Sequence, residues 1–338
     1  MGKVYATLTN LALVALLTTA ASRAAAVETT SENFVVSATA IQGTSGTTPR
    51  MNFFGVSTVN CISYAGKATA AGTGSIADAN ATWKQDQFNG TNGYYYVELD
   101  SGVTADVVRT DAATKTLSLN NQSVSLTAGN AYRVRKHLTI ADIFGKNNEA
   151  GLQAGPNSSQ ADNILLQVPQ TQQVLTFFYS NVPGFTGWYS DTYVAAGGVV
   201  VYPGIGLMVR SKSGRGGIVY LAGAAKEGPT LAPVYPGYNL LGTLKSQRSL
   251  KLSELNLYTG DPTTGVAAGP NSATGDILIL LHPDGTSATY FYSNVTGFTG
   301  WYDTTYTASA NVLVAPSSVF FLQRKAPRLA FYWTIPAE

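Results

Sequence analysis

From residue 34 onward, short apolar runs alternate with clusters of Gly, Pro, Asn and Asp. That pattern predicts strands joined by tight turns. Ile277–Leu281 and Tyr290–Tyr292, for example, flank Pro283-Asp284-Gly285, where Pro presets φ and Gly accepts a positive one. Leu138–Ile143 and Leu250–Leu255 instead place their apolar residues as one short helix or turn would. The expected class is all-β.

One stretch is written twice. Residues 178–193 read FYSNVPGFTGWYSDTY and residues 291–306 read FYSNVTGFTGWYDTTY, an offset of 113 with thirteen of sixteen positions identical. Similarity at that distance implies a duplicated domain, not a short-period solenoid. The likeness extends outward. Ala154–Ser158 recurs as Ala268–Ser272, Ile164-Leu165-Leu166 as Ile277-Leu278-Ile279 after a one-residue deletion, and Val199–Pro203 as Val312–Pro316. Asp276 aligns with Asp162 or with Asn163, according to where the gap falls.

Asn52-Phe53-Phe54-Gly55 parallels Asn239-Leu240-Leu241-Gly242, and each follows an apolar run, Phe34–Val36 or Ile218–Leu221. The spacing from there to the helix-like segment is far longer in the first copy, which predicts an insertion at 60–136. Within it Tyr94–Leu99, Asp106–Thr110, Thr116–Leu119 and Ala131–Arg135 read as strands of a small barrel or sandwich. The expected architecture is two homologous β-sandwich-like units, one at 27–59 and 137–216 and one at 217–327. The segment 328–338 is expected to be an unpaired terminal strand, since Leu329–Ile335 resembles the opening of a further unit.

Composition bears on location. Residues 1–26 read as a signal peptide: Lys3, the apolar run Leu11–Leu17 and an Ala24-Ala25-Ala26 cleavage site. The apolar run is too short to span a bilayer, and no later run is long enough. Removing Lys3 and Arg23 leaves 19 basic residues of the 21, against 19 acidic. A net charge of zero argues against a nucleic-acid partner. Cys61 is the only cysteine, so no internal disulfide is expected and the core must supply stability. Periplasm, cell surface or medium is the expected location.

These residues resemble an uncharacterised family of exported bacterial β-rich proteins. Its members share a signal peptide, an Asn-apolar-apolar-Gly step, a Thr-Leu-x-x-apolar-Phe segment, a Tyr-x-Tyr…Gly-Trp strand pair and a Pro-containing strand before a basic pair. Here those features fall at Asn52–Gly55, Leu138–Phe144, Phe178–Trp188 and Pro203–Lys212. The insertion resembles modules of surface and phage-tail-type proteins, through Ala81-Thr82-Trp83, Gln87-Phe88, Tyr95–Gly102 and Thr114–Leu117. It lacks their usual Gly after the Ser-Gly turn. Both resemblances imply exposed, non-catalytic β-modules, an analogy of fold and context.

No catalytic, metal-binding or cofactor motif stands out among the residues. His282 beside Pro283 reads as a turn histidine, and His137 stands where the insertion rejoins its host. Glu98 and Asp100, two apart on one strand, read as a solvated pair, since one strand cannot flank a cleft with both its carboxylates. Tyr179, Phe185, Trp188, Tyr189 and Tyr193 all recur, as Tyr292, Phe298, Trp301, Tyr302 and Tyr306. The bland explanation is core packing. The functional one is glycan contact by Tyr179, Trp188, Tyr189, Tyr292, Trp301 and Tyr302, with Asn181 and Asn294 binding hydroxyls. If Phe178 points inward, Tyr179 points outward. The sequence thus leads to an exported, non-catalytic structural or adhesive surface protein with weak glycan binding. Expected partners are polysaccharide or other surface proteins, with self-association through 328–338. The alternatives are a polysaccharide-acting enzyme and a protein that polymerises by strand addition.

Overall fold

The computed structural model describes residues 32–244, 248–282 and 284–336. The expected signal peptide, and Pro283 of the turn noted above, lie outside the described residues. The fold is all-β, with antiparallel sheets throughout.

Strands β1 (Phe34–Ile41) and β2 (Arg50–Gly55) precede the insertion. The insertion comprises β3 (Ile62–Lys67), β4 (Gly72–Thr73), β5 (Ser75–Ala77), β6 (Tyr95–Leu99), β7 (Thr104–Asp111), β8 (Thr116–Leu119), β9 (Ser125–Leu126) and β10 (Ala131–Lys136). Six of these form one sheet in the order β3-β10-β6-β7-β8-β5, with β4-β9 as a separate ribbon. No barrel closes. β7 pairs with β6 through Thr104–Asp106 and with β8 through Val107–Asp111. A bulge at Val107/Arg109 marks the change of partner, which is where a strand bends between layers. Trp83, Phe88, Val97, Leu117 and Tyr132 fill a core belonging to the insertion alone.

The host resumes with β11 (Leu138–Thr139), helix α1 (Ile140–Phe144), β12 (Asn163–Val168), β13 (Gln173–Ser180), β14 (Gly187–Ser190), β15 (Val200–Val201), β16 (Gly206–Ser211) and β17 (Gly217–Ala224). α1 lies within the helix-like stretch Leu138–Ile143, but starts two residues later than its first residue, because Leu138 and Thr139 pair with β15 as β11. Thr139 Oγ1 accepts from Asp142 N, and Asp142 accepts from Thr139 N, a reciprocal cap that satisfies two otherwise orphaned donors. One layer is the sheet β14-β13-β12-β16-β2, and the ribbon β1-β17 covers it. Ile41, Phe54, Ile164, Leu207, Val219 and Leu221 meet between them.

The second unit contains β18 (Thr230–Val234), β19 (Gly237–Gly242), β20 (Leu250–Lys251), β21 (Ile277–Leu281), β22 (Ser287–Val295), β23 (Phe298–Asp303), β24 (Leu313–Val314), β25 (Val319–Arg324) and β26 (Phe331–Ile335). Its sheet runs β19-β25-β21-β22-β23, and β18-β26 is its ribbon.

The structure departs from the sequence expectations at three places. The terminal strand is not unpaired: Phe331–Ile335 lies along Thr230–Val234, and Trp333 is buried against Phe320. A boundary at residue 217 would cut off a strand that closes the first unit, because Gly217–Ala224 pairs with β1. The two closing strands, β17 and β26, are therefore counterparts. Finally, Leu322 opposes Leu278 as Val209 opposes Ile164, so Ile164 matches Leu278 and not Ile277. The deleted residue falls in the following hairpin, where a turn absorbs it. Placed before the strand, it would have turned every side chain to the wrong face.

The sheets of the two units pack through their outer faces. Leu165 and Met208 meet Leu240 and Val319, bordered by Met51, Phe53, Leu281 and Phe321. The side-chain amide of Gln167 acts as a short strand against β19, donating to Tyr238 O at 2.7 Å and accepting from Leu240 N at 2.8 Å. Gly55 N donates to Ser317 O at 2.7 Å, and Gly242 N donates to Gly204 O at 2.9 Å. Ser317 is the counterpart of Gly204 under the same 113-residue offset, so one contact is made twice with roles exchanged. The two units are thus related by a local two-fold axis. Backbone meets backbone there: a Cβ on Gly242 would lie 3.0 Å from Gly55 Cα.

Candidate functional site

The repeated motif forms the hairpins β13–β14 and β22–β23. Cross-strand register sets Tyr179 opposite Trp188 and Tyr292 opposite Trp301. Each pair meets edge to face, with ring centroids 5.1 Å and 5.5 Å apart. Trp188 is 4% exposed and Trp301 5%. Tyr179 is buried, and Tyr292 is half-buried under Tyr258, whose ring stacks on it at 3.5 Å. The Trp188 indole donates to Gly145 O at 2.7 Å, just past the end of α1. These four rings face the sandwich interior and hold the helix-bearing segment onto the sheet.

The sequence left open which of Phe178 and Tyr179 points inward, and the strand settles it. Tyr179 is inward and Phe178 lies on the outer face. Phe178 is nevertheless fully buried, because Tyr193 covers it at 5.7 Å and 87°. Tyr306 covers Phe291 in the same way, at 5.7 Å and 84°. Both covering tyrosines have φ of +62°, a region that bulky side chains avoid. Their turns are tied down. Tyr193 N donates to Ser190 O and Val194 N to Ser190 Oγ, while Asp303 Oδ1 accepts from the Thr305 and Thr307 amides. Hydrogen bonding by these amides, that of Thr307 above all, holds the Asp303 carboxyl below its ordinary range.

Other members of the motif reach solvent. Asn181 and Asn294 are exposed, and Tyr189 and Tyr302 are half-buried on the outer face. At the hairpin tips Phe185 is 63% exposed and Phe298 60%. These two rings recur in the sequence and, unlike the tryptophans, are exposed aromatic members of the motif. Their signal was local: each sits between glycines with positive φ, Gly184 and Gly187 or Gly297 and Gly300, in a turn that cannot lie in a core. Each unit thus carries one rim, with an apolar ring at the tip, an amide beside it and tyrosine edges behind. Flat apolar faces next to hydrogen-bonding groups suit a sugar ring.

The remaining polar candidates have structural roles. Asp162 Oδ2 accepts from Gln153 N at 2.9 Å and its Oδ1 from Lys212 N at 2.7 Å; Asp276 repeats this with Ala267 N and Lys325 N. Asp276 thus aligns with Asp162. Lys212 and Lys325 donate to Ser158 O and Ser272 O, and burial lowers the pKa of both ammonium groups. Glu98 is not solvated. It is buried between Arg135 at 3.0 Å and Lys226 at 2.9 Å, and so ties the insertion to the linker between the units. Asp100 is exposed and pairs with Arg133. His137 is buried with Nε2 2.8 Å from Asp106 Oδ1, and its ring packs on Tyr96. His282 is half-exposed at the turn after β21.

Among the described residues no helix is long and apolar enough to cross a membrane. No protein-family model matches the chain, and neither a curated protein nor a solved structure matches it.

Proposed function

We propose that this chain is an exported structural and adhesive protein that contacts polysaccharide through two equivalent rims. The observation that carries the reading is the repeated exposure of Phe185 and Phe298, each about three-fifths open to solvent at the same hairpin tip. A core has no use for a ring in that position, whereas a binding surface does. The resemblance to exported surface β-proteins and the expected signal peptide support the location. Two rims on one rigid scaffold support multivalent attachment, in which weak individual contacts combine.

A glycan array carrying many polysaccharides tests this. The protein should bind a subset of them. Phe185→Ala or Phe298→Ala should each weaken apparent affinity by roughly tenfold or more, as two-point attachment is lost, and the double variant should not bind. Absence of binding across the array, or binding that survives the double substitution, defeats the proposal.

A further inference from the structure

Strand β1 has a partner on one side only. It pairs with β17 from Phe34↔Ala224 to Ile41↔Gly217, and among the described residues no strand lies along its other edge. The far edge of β17 is engaged near both ends: Ile218 N donates to Ala150 O, and Ala224 bridges with Val59. The outward face of the ribbon is apolar along its length. Phe34, Val36, Ala38 and Ala40 line β1, with Ile218 and Tyr220 beside them on β17, and all six are exposed.

The second unit shows how the same edge is treated elsewhere in this molecule. On β18 the Leu231 amide donates to Gly102 O at 2.9 Å, so a turn of the insertion covers that edge. Pro233, two residues on, has no N–H to offer. Among the described residues β1 has neither protection. Its sequence, FVVSATAI, contains no proline and no charge, and its pairing with β17 has no bulge. Proteins ordinarily block such an edge, because its free N–H and C=O groups template another strand. A second observation points the same way: Ser37 Oγ, midway along β1, is buried without a hydrogen-bond partner.

We propose that β1 pairs antiparallel with β1 of a second copy, about a two-fold axis at Ser37. This pairing is independent of the glycan reading. It places Phe34 opposite the partner's Ala40 and Val36 opposite the partner's Ala38, so outward residues meet outward residues, as parity requires. The two Ser37 hydroxyls then face each other, and each can donate to or accept from the other. The two ribbons become one four-stranded sheet, and the apolar outer faces join into a single strip. A second copy fits because the edge is self-complementary and uncharged: it has nothing to attract a charged partner and nothing to repel itself.

Sedimentation equilibrium on the purified protein should give a monomer–dimer pair whose dimer fraction rises with concentration. Ala38 is exposed, so Ala38→Lys should leave the circular dichroism and melting unchanged while weakening the dimer roughly tenfold or more. In a Cys61→Ser background, Ser37→Cys should be trapped as a disulfide-linked dimer on mild oxidation. Directly opposed residues in antiparallel strands lie about 4.5–5.5 Å apart at Cα, within disulfide reach. A monomer at every concentration overturns the proposal, as does a dimer indifferent to Ala38→Lys or a Ser37→Cys variant that does not cross-link. If the protein dimerises only after residues before Glu32 are removed, the edge belongs to the chain's own N-terminal segment and the proposal fails. The array reports on the rims alone, so the two readings stand or fall separately.

Discussion

Replacing each motif tryptophan by phenylalanine separates two contributions that the duplicated sequence makes look identical. Trp188 and Trp301 are equally buried and face equivalent tyrosines. Trp188 also donates to Gly145 O, whereas among the described residues the Trp301 indole N–H has no partner. Trimming either indole to a phenyl ring removes buried apolar volume and leaves a small cavity, a cost of about 1–2 kcal/mol in each unit. In Trp188→Phe the Gly145 carbonyl also loses its donor beneath the hairpin. Gly145 is half-buried, so the lost hydrogen bond adds about 0.5–1.5 kcal/mol. The expected losses are therefore about 1.5–3.5 kcal/mol for Trp188→Phe and about 1–2 kcal/mol for Trp301→Phe. Native-state hydrogen exchange read by mass spectrometry resolves the units separately, with the unaltered unit as internal control. Protection should fall across β12, β13 and β16 in the first variant, and by less across β21, β22 and β25 in the second. Equal losses, or a greater loss for Trp301→Phe, would refute the assignment of the difference to the Gly145 hydrogen bond.

Three further outcomes follow from the packing. Glu98→Gln leaves the buried Lys226 ammonium without its carboxylate and Arg135 with only Glu32, and should destabilise the junction by about 3–5 kcal/mol; exchange across residues 225–229 should rise sharply, and an unchanged linker would contradict this. Gly242→Ala forces the two backbones apart at the local axis and should cost about 1–3 kcal/mol, whereas Gly46→Ala, with open space around it, should be near neutral in the same urea titration. Because the folded-state pKa of Asp303 is lowered, its contribution is present above the ordinary 3.8 and is lost as pH falls below that through the folded value. Its counterpart Ser190 does not titrate, so as the pH falls below 3.8 and through the folded value the Thr305–Thr307 turn should loosen while Thr192–Val194 does not; equal loosening of both in an NMR pH titration would rule this out.

The repeat, the strand-rich class and the insertion were legible because turn residues and apolar runs are local signals. The direction in which the motif faces was not. Phe178 is buried on the outer face and Tyr179 on the inner, and Leu165 and Met208 are buried between units, so apolar residues occupy both sides of these strands. Alternation identifies a face only when one side is polar. Membership of β17 was equally hidden, since its partner begins at Phe34 and nothing near residue 217 records a pairing that distant. Glu98 read as solvated because Lys226, which neutralises it, lies 128 residues away. The exposed tips were within reach: glycines flanking Phe185 and Phe298 announce a turn. The larger indole rings are the more conspicuous signal, but the fold uses them as filling.

Each unit is fastened by joining its first strand to its last, Phe34 opposite Ala224 and Thr230 opposite Ile335. The order in which the chain emerges during synthesis therefore governs when either unit can close. Unit one must wait for residue 224, with the whole insertion looped out between its two ends, and unit two must wait for residue 335. Pairings so distant in sequence form slowly, because the loop must close before any contact rewards it. The insertion, whose core is its own, can fold ahead of both. Phe331–Ile335 then acts as a latch: until Trp333 arrives against Phe320, β18 has no partner strand and the ribbon of the second unit cannot close.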